Sequence, residues 1–528
     1  MDQLAPDPRG MAAARFTKFH LPPQRPPRRR REPIVGGWPR VPFGGRLLLL
    51  GSGSVSRCLQ PLLLRHLEMD LTRLTVLDFD ERAVPDQHLL AAGANHVRRR
   101  ITPDNLHAIL GAHLGPGDLL VNLTWDIGTG DLIDWCQDHG VLYVDTSVEL
   151  WGSTFADYSA TDPVDRTLYV RHMELRRRAI RWGRHGPTAV VEHGANPGLV
   201  SHWTKVALTD IATTMLAEPD RLPAPLEPAR RERLTDALAA GDFARLAMET
   251  GTKVIHISER DTQISDRPKE VGEFVNTWSI AGFYEEGTAT AELGWGTHER
   301  TLPPGAHTHR DGPRNQICLA RPGMDTYVRS WVPLGGQIEG MVIRHGEAFT
   351  ISDHLTVWDG DRPVYRPTVH YAYLPTDAAM ASLHECRMTG YRLQDRLRIM
   401  DDDIVSGADE LGVLLLGHDL GGWWTGSQLD IKEARALVPH QNATTLQVAA
   451  SVLGAVAWML RNPDRGLCVP DDLDHREVLA VADPYLGPCP SVPTSWTPLA
   501  QRGFPFEQVT GSRPRDEDVW QFTSFLVR

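Results

Sequence analysis

The stretch Arg46-Leu47-Leu48-Leu49-Leu50-Gly51-Ser52-Gly53-Ser54-Val55-Ser56 joins a short apolar run to a glycine-rich turn. Leu59, Leu62, Leu63 and Leu67 follow on one helical face, so the reading is strand, turn, helix. The turn has the form GxGxxG with serine in place of the third glycine. Gly51 permits a tight bend, and Gly53 lets the backbone approach a pyrophosphate. Ser54 and Val55 open a helix whose free N–H groups and partial positive charge favour an anion. Ser56 loosens the last requirement, close packing of helix on strand. Asp78 ends the next apolar run, 22 residues after Ser56. A carboxylate there would accept ribose hydroxyls and repel a 2′-phosphate, which favours NAD over NADP.

Outward from this unit the pattern repeats. Leu119 to Leu123 and Val141 to Asp145 are apolar runs preceded by helical segments, and Thr188 to Glu192 begins another. Strands alternating with helices predict an α/β fold of Rossmann type, a doubly wound parallel sheet covered on both faces. A helix over Leu199 to Met215 and a Pro-rich loop from Pro219 to Pro228 follow. From Lys253 to Tyr373 short β-like runs such as Tyr327 to Trp331 and Val369 to Tyr373 predict a mixed or antiparallel sheet, hence a second, α+β domain. The expected organisation is a disordered Pro/Arg-rich extension (1–42), a Rossmann NAD-binding domain (43–197), a substrate domain with a mixed sheet (198–430), and a helical segment packing back on the first domain (431–528).

The length of 528 residues suffices for several domains, and the net charge of −12 disfavours a sequence-independent nucleic-acid binder. The longest apolar stretch, Leu446 to Leu460, is interrupted by Gln447 and Ser451 and reads as a buried helix rather than a membrane span. Six scattered Cys without a CxxC pair form neither a disulfide framework nor a zinc cluster. No HExxH or GxSxG occurs, so neither a bound metal nor a serine nucleophile is expected. No leader pattern opens the chain, and the expected compartment is the cytoplasm.

Ligands of open α/β sheets bind outside the carboxyl ends of the strands. That rule selects Asn122 and Thr124 with Asp126, and Asp145 and Thr146 with Glu149; ordinary helix capping by Asp126 and Asp145 competes with it. In the second domain Glu259, Trp278, Glu285 and Glu286 place an aromatic face among carboxylates, the chemistry an organic ammonium needs. A core tryptophan is the plain alternative, and for any single one of the 15 Trp residues composition and spacing favour it, so Trp278 is not singled out at this point. His298, His345 and His370 are further candidates as ligands or bases.

These residues lie in blocks that resemble the bacterial homospermidine synthases. The blocks are GSGSVSR at Gly51, VNLT at Val121, DTSVELW at Asp145, GANPGLVSHW at Gly194 and ISERDTQ at Ile257. FVNTWSIAGFYEEG at Phe274, AELGWGTHE at Ala291, VYRPTVHYAYLP at Val364, GSQL at Gly426, HQNATTLQV at His440 and WTPL at Trp496 continue them. The resemblance runs in order from about residue 44 to the C-terminus. It implies a homodimer of the saccharopine-dehydrogenase-like superfamily, its second domain both catalytic and dimer-forming. It also implies a redox-neutral reaction. Tightly bound NAD⁺ takes hydride from the amine-bearing carbon of putrescine, the imine loses ammonia to a second putrescine, and the hydride returns to give sym-homospermidine. Spermidine can replace putrescine as donor.

Carried to this sequence, Trp278 matches the family's tryptophan for cation–π guidance. Asp126, Glu149, Glu259 and Glu286 match its amine-binding acids, and Asn196, Pro197 and His345 fall beside the nicotinamide. Which carboxylate or histidine takes the substrate proton stays open. Trp125 and Ile127 flank Asp126 where smaller neighbours are expected, so a homologue acting on another diamine is one alternative. A net oxidoreductase of the saccharopine or carboxynorspermidine dehydrogenase kind is another, although its carboxylate-bearing substrates would call for Arg or Lys. A nucleotide sensor lacking catalysis is the third.

Overall fold

Leu47–Leu50 (β1) has all four side chains buried, as a strand sandwiched between helices requires. It belongs to a computed structural model that describes residues 40–152, 161–183, 185–503 and 516–527. β1 runs into Ser54–His66 (α1), then Leu74–Asp78 (β2), Asn95–Arg98 (β3), Leu119–Asn122 (β4), Thr129–His139 (α2), Leu142–Asp145 (β5), Leu168–Trp182 (α3) and Ala189–Val190 (β6). The six strands pair in parallel in the order β3-β2-β1-β4-β5-β6. The order reverses between β1 and β4, which opens a crevice at their carboxyl ends.

Leu199–Ala217 (α4) leads to a second sheet of ten strands. Val254–Asp261 (β7), Thr290–Gly294 (β8), Ala306–Thr308 (β9), Gln316–Pro322 (β10), Tyr327–Val332 (β11), Gly336–Met341 (β12), Thr368–Leu374 (β13), Ala408–His418 (β14) and Gly421–Asp430 (β15) form most of it. Only β13 against β7 is parallel; the remaining pairs are antiparallel. Ile280–Thr288 (α5) and Glu347–His354 (α6) flank this sheet.

Residues 431–528 are not helical alone. Leu467–Cys468 adds a seventh strand beside β6, and Ser491–Thr494 pairs with β15. Ahead of both, Ala443–Arg461 (α7) is long and apolar enough to cross a membrane, yet it lies inside the fold against α1. A single hydrophobic cluster runs from Leu49 and Leu59 through Leu446 and Leu453 to Val413 and Leu415, so both sheets share one core. The expected extension 1–42 falls outside the described residues as far as 39. At its end Val41 and Pro42 already pair with Leu67 and Glu68.

Candidate active site

The glycine turn after β1 bends at Gly51, whose φ of 89° and close approach to the Leu123 carbonyl leave no place for a side chain. At Gly53, by contrast, a Cβ would meet no atom within 4 Å. Gly53 supplies no side-chain cap and the first turn of α1 carries no acid, so the N–H groups there remain available to an anion. Ser56 is buried, and its hydroxyl donates to the Gly51 carbonyl at 2.6 Å. The serine therefore tightens the turn by a hydrogen bond rather than loosening it. Asp78 accepts from Ser52 N at 2.7 Å and Asp80 N at 2.8 Å, which fixes its carboxylate beside the turn. Next to it Phe79, 45% exposed, carries the Arg100 guanidinium 3.8 Å from its ring centroid.

At the other strand ends the structure separates residues that the sequence grouped. Thr124 and Thr146 line a cavity of about 170 Å³, together with Val55 of the turn. Asn122 and Asp145 sit beneath it. Asn122 Nδ2 donates to Tyr143 Oη (3.2 Å), Tyr143 Oη donates to Asp145 Oδ2 (2.7 Å), and Glu192 N donates to Asp145 Oδ1 (2.7 Å). This network ties β4, β5 and the end of β6 together. Neither Asp126 nor Asp145 caps a helix: α2 begins after Gly128. Asp126, at φ 67°, is outside the cavity wall, whereas its neighbour Trp125 forms part of that wall and is 42% exposed.

On its far side the cavity gathers Glu149, Asn196, Pro197, Glu259, Trp278, Glu286 and His345 from five separate segments. Alternation along β7 sends Ile257, Glu259 and Asp261 to one face. Glu259 accepts from the Tyr371 hydroxyl and from Asn196 Nδ2 at 3.4 Å, and burial raises its pKa. Ser279 caps α5 by accepting from Gly282 N, leaving Trp278 just ahead of the helix and half-buried against the cavity. A Cβ on Gly282 would come within 3.1 Å of the indole.

Glu285 and Glu286 are successive residues on α5, so they point about 100° apart. Glu286 meets His345 Nε2 at 3.0 Å. Glu285 faces Arg171 Nη2 (2.7 Å) and Arg344 Nη2 (2.9 Å); despite its burial, the two guanidiniums hold its pKa well below the usual carboxylate range. It is thus committed to the arginines rather than to a ligand.

His345 is buried, which alone would keep it neutral. Glu347 Oε1 at 3.3 Å from Nδ1 and Glu286 on the other nitrogen outweigh that and hold it charged. Gly346 is required between them: its Cβ would fall 1.8 Å from Glu192 Oε2, which pairs with His172 Nε2 at 2.7 Å. Glu149 accepts from Ser147 Oγ at 2.8 Å through Oε1, while its buried Oε2 has no hydrogen-bond partner among the described residues. Burial, aided by Glu285, raises the Glu149 pKa to about 7.

Arg171, Arg344, Glu192, Tyr371 and Glu347 were not anticipated from the sequence. None belongs to a motif; each is recruited through tertiary contacts. The wall holds five acids (Glu149, Glu192, Glu259, Glu285, Glu286) against two guanidiniums, both of which Glu285 already binds, and the His345 imidazolium, which Glu286 pairs. Such a cavity favours cations and disfavours a carboxylate ligand.

Two family models match along the chain. Residues 47–190 match the family model described as saccharopine dehydrogenase NADP binding domain, and 194–489 that of the saccharopine dehydrogenase C-terminal domain. The homospermidine synthase of Blastochloris viridis is 42% identical over 492 residues, 92% of this chain and 98% of the relative. That of Mesorhizobium japonicum is 41% identical, covering 92% of this chain and 96% of the relative. Among solved structures, the homospermidine synthase of Legionella pneumophila in complex with NAD superposes with a TM-score of 0.80 at 35% identity, over 93% of this chain and 99% of that one.

Proposed function

For a chain that belongs to the homospermidine synthase family, we propose NAD-dependent, redox-neutral transfer of an aminobutyl group. The substrates are two putrescines, or spermidine and putrescine, and the product is sym-homospermidine. The single observation that carries this reading is a carboxylate-walled cavity containing Trp278 that opens at the carboxyl ends of β1 and β4. There a diamine and a nicotinamide would share one chamber.

The turn suits NAD: open space over Gly53, uncapped N–H groups at α1, and the Asp78 carboxylate placed for ribose hydroxyls and against a 2′-phosphate. Exposed Phe79 with Arg100 on its face suits the adenine. When bound, NAD supplies the acceptor and later the donor of the hydride. Thr124, Thr146, Asn196 and Pro197 fix the nicotinamide end, while Asn122 and Asp145 act from below by holding the strand ends.

Glu149, with one buried oxygen unengaged, and Glu286 hold the ammonium groups, and Trp278 guides the amine by its ring face. Asp126, beside Trp125 of the wall, is the further acid that the family resemblance offers for the amine. Amine oxidation needs a neutral nitrogen. His345 is held protonated by two carboxylates and so is a poor base, which leaves Glu259 as the proton acceptor and His345 as a fixed positive charge orienting Glu286. A dry chamber keeps the imine from hydrolysing. Cytoplasmic location and a homodimer belong to the same reading through the family resemblance.

Trp125 in the cavity wall favours a second reading, a homologue selective for a different diamine. A net oxidoreductase acting on amino acids is disfavoured because both arginines are taken by Glu285.

The test is incubation of purified protein with putrescine and NAD⁺, with the NADH absorbance band followed and products identified by mass spectrometry. Homospermidine and ammonia without net NADH support the reading. Accumulating NADH, or no product until other amines are supplied, overturns it in favour of a relative.

A further inference from the structure

Behind Glu259 the same sheet face carries two more acids. Asp261 lies two residues further along β7, and Asp409 of β14 stands opposite Asp261 in the antiparallel register. Leu411, opposite Glu259, lines the cavity with it. Glu259 and Asp261 are 3% exposed and Asp409 is 0% exposed. Asp261 accepts from Gln263 N (2.9 Å), Gln263 Nε2 (3.1 Å) and Thr277 Oγ1 (3.1 Å). Thr444 Oγ1, also in the cavity wall, sits 2.7 Å from Asp409 Oδ2 and 3.3 Å from Asp261 Oδ2, and can donate to one at a time. Among the described residues no N–H or O–H reaches Asp409 Oδ1; what acts on Asp409 from the cavity side is the Glu259 carboxyl itself.

Two buried carboxyls that face each other without a cation between them stay together by sharing a proton. The other titratable groups turned toward this cluster are Tyr371 and Tyr373 of β13, His345 and Glu347. Burial, reinforced by mutual repulsion, raises the pKa of Asp409 well above the carboxylate range and raises those of Glu259 and Asp261 as well.

We propose that Asp261 and Asp409 act through Glu259 as a buried proton store for the transfer reaction. The inference rests on the functional reading above. Each reacting amine enters as an ammonium and must give up one proton. The first is lost before the C–H bond breaks with its electron pair going to NAD⁺, and the second before the new C–N bond forms. One proton returns when the old C–N bond breaks and ammonia leaves as ammonium. The other returns when the hydride, delivered back to the imine carbon, leaves a secondary amine. Two ammonium groups enter and two leave. Between those moments two protons must be lodged, and the three carboxyls, in the form that carries one proton, have room for two more. Glu259 receives, Asp409 takes up across the facing carboxyls, and Thr444 links Asp409 to Asp261. Asp261 and Asp409 touch neither substrate nor cofactor and are positioning residues.

Asp409→Asn keeps the Thr444 hydrogen bond while removing one proton site. NAD-loaded enzyme is mixed rapidly with putrescine in weak buffer containing a pH-indicator dye, and dye and NADH absorbance are followed together. The wild type is expected to retain its protons through the first hydride transfer. Asp409→Asn should release about one proton per site in that phase, lose roughly 10-fold or more in kcat, and show a displaced pH profile, with NAD retention unchanged. Thr444→Val, which cuts the link but keeps every carboxyl, should release protons in the same phase, and it carries the test if Asp409→Asn does not fold. Wild-type proton traces and pH profiles in both variants overturn the inference. A wild type that turns over but releases protons to solvent overturns it alone. A wild type with neither NADH transient nor homospermidine overturns the functional reading and this inference together.

Discussion

Gly53→Ala separates what the protein needs from what its cofactor needs. Gly53 has φ −72° and ψ −169°, open to any L-residue, and its added methyl meets no protein atom within 4 Å. Reduced freedom of the unfolded chain would stabilise by about 0.4–1 kcal/mol, and a poorer helix cap would cost about 0.5–1 kcal/mol. The cofactor-free protein should therefore change by no more than about 1 kcal/mol. The same methyl stands where a pyrophosphate would approach the N–H groups of α1. Each hydrogen bond to a charged group contributes roughly 1.5–3 kcal/mol, so losing one or two lowers NAD affinity by roughly 10-fold to 10⁴-fold. Gly51→Ala should behave in the opposite way. Positive φ costs about 1–2 kcal/mol, and a Cβ 2.8 Å from the Leu123 carbonyl oxygen adds about 1–3 kcal/mol, with or without NAD. Chemical denaturation without cofactor and fluorescence titration with NAD read the two quantities separately. Wild-type NAD affinity in Gly53→Ala would show that the pyrophosphate does not cross this turn.

Trp278→Phe should retain part of the activity and Trp278→Ala much less, with NAD binding intact in both; equal loss in steady-state kinetics, or loss of NAD, removes the cation–π role. Glu149 is charged above about pH 7 and neutral below it, and only the charged form pairs with an ammonium. The wild-type KM for putrescine should thus rise up to about 10-fold as pH falls one unit below that value, whereas Glu149→Gln should have a high KM without that rise, as initial rates across pH will tell. Glu285→Gln leaves Arg171 and Arg344 buried without their shared carboxylate and should destabilise the fold by about 3–5 kcal/mol in denaturant titration. Unchanged stability would mean that the triad is solvated.

The centre of the first sheet was legible because its strands are buried on both faces, whereas the largely exposed edge strand Asn95–Arg98 was not read. Leu47 to Leu50, Leu119 to Val121 and Leu142 to Val144 therefore read as apolar runs punctuated by turns. Leu467–Cys468 was not, since two residues carry no period, and their place beside β6 is decided by α7 packing on α1. In the site, the roles of Trp278, Glu259, Glu286 and His345 came from resemblance, and without it a core tryptophan was the favoured reading of Trp278. Asp145 illustrates a different limit: a carboxylate at a strand end satisfies the ligand rule, yet here Tyr143 and the Glu192 amide occupy it. Glu285 and Glu286 are chemically identical in sequence, and only the rotation of α5 assigns one to the arginines and the other to His345.

The late strand Leu467–Cys468 also sets a timetable for biosynthesis. Six strands of the first sheet have been synthesised once Val190 is made, but the strand that covers the edge of β6 comes 277 residues later. At about 5–20 residues per second that edge stays open for roughly 14–55 s, as a template for any neighbouring nascent chain. Ser491–Thr494, which covers β15, follows later still. Chains released by a premature stop before residue 467 would therefore not be smaller working enzymes but substrates for chaperones and proteases.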